Sequence, residues 1–237
     1  MEQKLSQLVE RLNAAFGERL VSAVLYGSAA MGDWHEKRSD LNVLCVLDRL
    51  TPEELAHSEA VFRWWREQGN PPPLLLTAEE VQNSTDCFPM EFRDMQEHRR
   101  ILYGTDVIKD LTVDNCFYRA EVEHELRAKQ IRLRQKGAEL LHNPERLLTL
   151  LTDSISTFCV LARHALVLSG NPPQWTKKEI VAALERTTGR SFSAVNEILS
   201  LRASEKGKPA AAAAVSLFAA YLSETEALVR FVDALER

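Results

Sequence analysis

LYGSAAMGDWHEKRSDLNVLCVL, residues 25–47, decides how the first half of this chain folds. An apolar run, 20–27, ends in Gly27 and Ser28; a second, 41–47, begins just after Ser39-Asp40. Both are too short for ordinary helices and are bounded by turn residues, so they read as buried strands. Small residues, Gly32 and a polar loop lie between them. Glycine lets a backbone approach phosphate oxygens, and a helix N-terminus offers unpaired N–H donors; Ser28 adds a hydroxyl. Side chains alternate along a strand, so Asp40 and Asn42 share a face. Two adjacent oxygen-bearing side chains suit Mg²⁺. Leu44 and Val46 continue that face as apolar residues, which confines the polar site to the start of the strand.

Working outward, Leu5, Leu8, Val9, Leu12, Ala15 and Phe16 recur at helical spacing ahead of Gly17. Thr51-Pro52-Glu53-Glu54 is a helix start, with Thr51 as N-cap and Glu54 as its capping-box partner; the helix runs to about Gln68. GNPPP breaks the chain before a third strand, PLLLT. Residues 88–93 alternate Phe88, Met90, Phe92 with Pro89, Glu91, Arg93 and read as a fourth strand; 100–104 read as a fifth. Beyond residue 115 the signals are helical, at 115–142, 145–169, 176–187, 193–202 and 210–235. Leu126, Leu133 and Leu140 mark the buried stripe of the first of these. The expected architecture is an α/β (α+β) domain with a mixed sheet over residues 1–110, then an all-helical bundle domain over 111–237.

The chain of 237 residues is 45% hydrophobic and 27% charged, which is globular composition. A net charge of -5 disfavours nucleic-acid binding through a broad basic surface. Cys45, Cys87, Cys116 and Cys159 form no C-x-x-C pair, so no zinc ribbon or redox motif is present; Cys45 and Cys159 sit in apolar runs as small core residues. The start lacks the apolar core of a signal peptide. The stretch 158–168 is short and interrupted by Arg163 and His164, so no membrane span is expected. The expected setting is the cytoplasm. Trp64-Trp65 read as helix-packing residues, and oligomeric state is not legible.

The segment from Gly27 to Asn42 resembles the G-S-x-x-x-G…S-D-x-D signature of the nucleotidyltransferase superfamily that includes DNA polymerase β and the aminoglycoside nucleotidyltransferases. Gly27, Ser28, Gly32, Ser39 and Asp40 match; Asn42 stands where the family carries a second carboxylate. A catalytic domain followed by a helical one is similar to the kanamycin- and streptomycin-type enzymes, in which the acceptor binds between the two. The resemblance implies a nucleoside triphosphate substrate held by Gly27, Ser28 and Ser39, and Mg²⁺ on Asp40, Asn42 and a third acid. CFPMEFRDM supplies Glu91 and Asp94. In a strand these have opposite parity, and the aromatic residues take the core side, so Glu91 is the expected ligand or general base. Lys129, Arg132 and Lys136 form one helical stripe, which could hold triphosphate oxygens or an anionic acceptor, or be a solvated face.

Asn42 offers a carbonyl oxygen but no charge, so the ligand set drops to two carboxylates unless Asp33 or Glu36 compensates. Two readings follow. In one, the protein transfers a nucleoside monophosphate to a hydroxyl of a small molecule or protein. In the other, it is a degenerate relative that binds nucleotide or a partner without turnover. Arg119-x4-His124 has the spacing of helical ribonucleases, but Arg93 and His98 repeat it in the other domain, so it carries little weight. His35 reads as a solvated loop residue.

Overall fold

The computed structural model describes residues 1–32, 40–203 and 211–235. The chain divides into two compact units, Met1–Phe117 and Tyr118–Arg237. In the first, α1 (Glu2–Phe16) precedes β1 (Leu20–Tyr26), and β2 (Asn42–Leu47) follows the loop. Then come α2 (Pro52–Glu67), β3 (Leu74–Thr77), α3 (Ala78–Asn83), α4 (Pro89–Glu97) and β4 (Arg100–Gly104). The four strands form a mixed sheet in the order β3-β2-β1-β4. β1 runs antiparallel to both β2 and β4, and β2 runs parallel to β3.

Strand parity divides the core. Ala23, Leu25, Val43, Cys45 and Leu47 face α1 and α2, where Leu5, Leu8, Leu12, Phe16 and Trp65 are buried. Val24, Leu44 and Val46 face the other way, onto Val81 of α3 and Phe92 and Met95 of α4. The sheet is thus covered on both sides, which is why β1 and β2 read as continuous apolar runs. Trp65 is fully buried, and the Arg11 guanidinium lies over Trp64 at 4.4 Å.

One expectation fails here. Residues 88–93 are not a strand; they open α4. Pro89 stands at the first helical position, where its missing N–H costs nothing. Phe92 and Met95 are buried three residues apart. The period-two alternation was a short accident inside a helical period. β4, the expected fifth strand, is the fourth.

The second unit contains α5 (Tyr118–Leu140), α6 (Pro144–Leu168), α7 (Lys177–Thr188), α8 (Ser193–Ala203) and α9 (Ala211–Asp233). No strand occurs in it among the described residues. The buried stripe of α5 runs through Leu126 and Leu133 to Gly137, and Leu140 is only half-buried. At Gly137 a Cβ would come within 2.0 Å of the Phe218 ring, so the glycine lets α9 pack closely. α6 is long and apolar enough to cross a membrane by composition, but 56% of its most apolar window is buried inside the unit. It packs against α5, α7, α8 and α9, as a core helix does.

The capping box expected at α2 is present. The Thr51 hydroxyl and backbone N–H donate to Glu54 at 2.5 and 3.0 Å, and Arg19 pairs with the same buried carboxylate. The Thr51 hydroxyl, then the Thr51 amide and Arg49, hold the Glu54 carboxyl down at about 2 from an ordinary 4.5. A carboxyl depressed on folding stabilises the fold above its unfolded value and loses that contribution as pH falls through the folded value. Urea midpoints should therefore decline from pH 4.5 towards pH 2, with a shallower decline in Glu54→Gln. At Gly104, with φ +72°, a Cβ would lie 2.0 Å from the Val21 carbonyl oxygen. Gly104→Ala should cost about 3 kcal/mol in urea unfolding, through a strained φ and a backbone clash that no rotamer relieves.

Candidate active site

The polar site grows from the β1–β2 pair. Antiparallel register sets Tyr26 opposite Asn42. Beyond Tyr26 the chain makes a single 3-10 turn, Gly27–Ala29, in which the Ala30 and Met31 amides donate to the Gly27 carbonyl at 3.0 and 3.2 Å. Gly27 has φ +73°. The positive φ favours glycine, and a Cβ there would also press on the Asn42 amide at 3.0 Å from Nδ2. Among the described residues Gly27-Ser28 is followed by this turn, which offers its N–H groups together with the half-buried Ser28 hydroxyl. Ser39, Asp33, His35 and Glu36 lie outside the described residues.

Asp40 is exposed just ahead of β2, and Asn42 is its half-buried first residue. Between them, the buried Leu41 donates its N–H to Asn70 Oδ1 at 3.1 Å. Asn70 is itself buried. It thereby satisfies a donor that the sheet leaves unpaired and fixes how the chain enters β2. The sequence marked Asn70 only as part of a turn before three prolines; a contact across 29 residues leaves no local signal.

Glu91 reaches this end of the sheet by a route different from the one expected. It sits in the first turn of α4, where an acid complements the helix N-terminus. α4 packs on the sheet face that carries Val24 and Leu44, and this is also the face of Asn42 by strand parity. Burial raises the Tyr26 phenol, and the charge of Glu91 raises it further. Glu91 therefore lies near the strand partner of Asn42. The argument that Asp94 must point away falls with the strand: on a helix, i and i+3 are neighbours.

The basic stripe belongs to the second unit. Lys129 and Arg132 lie on α5 of the second unit, exposed, and line a pocket within that unit. Glu121, His124 and Glu125 of the same helix bring potential ligand atoms within 4.8 Å of one another, but Glu125 is already paired with Lys129 at 3.0 Å. Arg119 of the ribonuclease-like spacing forms an ion pair with Glu123 at 2.7 Å.

A family model described as a nucleotidyltransferase domain matches residues 5–131, more than half of the chain. The chain belongs to the nucleotidyltransferase domain family. No curated protein matches it in a comparison of sequences. Among solved structures, the spectinomycin adenyltransferase AAD(9) from Enterococcus faecialis, crystallised with ATP and spectinomycin, aligns with a TM-score of 0.62 at 14% identity. The alignment covers 96% of this chain and 99% of that one, so the nucleotidyltransferase domain and its helical continuation share the neighbour's fold.

The proximity of Glu91 to Tyr26 is directly testable. Glu91→Gln removes a charge that raises the phenol, so the Tyr26 titration should move down. Phenolate absorbance at 295 nm, with Tyr26→Phe subtracted to isolate this residue, reads the shift; an unmoved titration would place Glu91 away from the site.

Proposed function

We propose that this nucleotidyltransferase-domain protein transfers a nucleoside monophosphate, AMP by likeness to its structural neighbour, from a nucleoside triphosphate to a hydroxyl of a small molecule. The observation that carries the reading is the shared location of three groups. The Gly27–Ser28 turn and the Asp40–Asn42 strand start lie at one end of the β1–β2 pair, and Glu91 is close enough to Tyr26, at that same end, for its charge to act on the phenol. A reducing cytoplasmic setting fits four cysteines not joined in disulfides.

The donor set suits a hard divalent cation: Asp40 and Glu91 offer carboxylate oxygens and Asn42 a carbonyl oxygen. Such an ion, Mg²⁺ in the first instance, would neutralise triphosphate charge and make the α-phosphoryl more electrophilic. The chain's own residues do the rest. Gly27 lets the backbone come close to the phosphates, and the Ser28 hydroxyl donates to a phosphate oxygen. Ser39, beside Asp40 in sequence, is a further phosphate donor on the family pattern. Asp40 would hold the cation beside the α-phosphoryl, and Glu91 accepts the proton of the acceptor hydroxyl. The acceptor oxygen bonds to the α-phosphorus as the bond to the bridging oxygen breaks, and pyrophosphate leaves.

A second reading rests on Asn42. Its amide packs against Gly27 in the position where a second carboxylate would bring charge. With two acids instead of three, the site would bind nucleotide without turning it over.

Calorimetry separates the two. For a site weakened by lost charge, Asn42→Asp should tighten Mg²⁺-dependent ATP binding by about 1–3 kcal/mol, roughly 5- to 150-fold. For an active site adapted to Asn42, the added carboxylate crowds like charges and brings no gain. Asp40→Ala should abolish metal-dependent binding in both cases. Incubation of the wild-type protein with α-labelled ATP, Mg²⁺ or Mn²⁺ and hydroxylated acceptors should release pyrophosphate if the first reading holds. If none of the three proteins binds any nucleotide, both readings fall.

A further inference from the structure

The helical unit forms a half-open pocket of about 210 Å³ between α5, α6 and α9. Its apolar lining includes Leu133, Phe158 and Leu161, all buried. Four hydroxyl side chains, Ser154, Thr157, Tyr221 and Thr225, interrupt that surface. Ser154 bonds the Tyr221 hydroxyl at 3.2 Å, and Thr225 donates to the Tyr221 carbonyl at 2.8 Å. Burial pushes the Tyr221 phenol up, so at neutral pH it remains a hydrogen-bond donor.

The basic stripe of α5 runs along this pocket. Lys129, Arg132 and Lys136 all line it. Lys129 is neutralised by Glu125 at 3.0 Å. Arg132 and Lys136 have no acidic partner among the described residues. They stand four residues apart, where like charges on a helix repel. An ordinary solvated face would carry acids between them, as the first half of α5 does with Glu121, Glu123 and Glu125. In a chain of net charge -5, this local excess of positive charge beside an apolar hollow is a selective feature. Apolar walls with a few placed polar groups are the usual form of a small-molecule site, and this volume, below the usual lower limit of about 300 Å³, suits a small group.

We propose that this pocket binds a small amphipathic anion, its hydrocarbon body against Leu133 and Phe158 and its carboxylate or phosphate head held by Arg132 and Lys136. The site is complete within the helical unit and does not depend on the nucleotidyl-transfer reading. It gives Arg132 an occupant other than the triphosphate.

Isothermal titration of the full chain with octanoate, octyl phosphate and octanol tests this. One of the two anions should saturate at one equivalent, and the tighter of them names the head group. Octanol should bind at least tenfold more weakly than that anion. Arg132→Gln with Lys136→Gln should weaken the anion at least tenfold. Thr157→Trp, at an exposed lining position, should block it. Urea unfolding of each variant checks that the bundle is intact; should the double variant not fold, the octanol contrast and Thr157→Trp decide alone. The proposal is overturned if neither anion saturates, if octanol binds as tightly, or if folded variants bind unchanged. It is equally overturned if saturating ATP displaces the anion, or if the double variant loses ATP binding, because the stripe would then serve the nucleotide.

Discussion

The antiparallel pairing of β1 with β2 is the constraint on which the candidate site depends. It sets Tyr26 opposite Asn42, so the turn that leaves one strand lies beside the start of the other. Gly27 and Asn42 then come so close that a methyl group at Gly27 would meet the Asn42 amide. Everything else in the first unit holds that pair in register. Helices α1 and α2 seal one face, and α3 and α4 seal the other. A slip of one residue would move Leu44 and Val46 to the wrong core and turn Asn42 to the opposite face of the sheet.

Burial and chemistry divide cleanly along β2. Residues 43–47 are buried, and the polar character is confined to positions 40 and 42. The apolar length anchors the strand rigidly, and the polar beginning can therefore hold its side chains at defined positions without stabilising the fold itself. Asn70 completes this arrangement by taking up the Leu41 N–H at the point where the ladder ends. A site built at the end of a well-packed strand, with one helix approaching from the same face, is the kind of preorganised scaffold that phosphoryl chemistry requires.

The helical unit follows a different logic. α6 is buried on most sides and carries the apolar mass, so its composition resembles that of a membrane segment although it serves as a core helix. The buried Arg163 is compatible with this position because its guanidinium lies over the Trp175 ring at 4.7 Å. α5 shows a weaker amphipathic pattern, since its buried stripe includes Gln130 and Gly137 as well as leucines. Its first half mixes Glu121, Glu123 and Glu125 with Arg119 and Arg127, and its second half is predominantly basic.

What the sequence determined by itself was the strand–turn–strand segment, the mixed sheet followed by helices, the capping box at Thr51 and Glu54, and the burial of Cys45 and Cys159. Each of these rests on local physics: a run of apolar residues, a cap three residues from its partner, a glycine at the end of a strand. The 88–97 segment shows the limit. Six alternating residues fit both a strand and a helix, and packing of Phe92 and Met95 against the sheet goes with the helix. That choice reversed the reasoning about Glu91 and Asp94 while keeping Glu91 near Tyr26. Asn70, the placement of Lys129 and Arg132 along a pocket of the helical unit, and the contact between Gly27 and Asn42 were decided by the tertiary structure alone. They join residues distant in sequence, and no periodicity or spacing along a chain records which distant surfaces will meet.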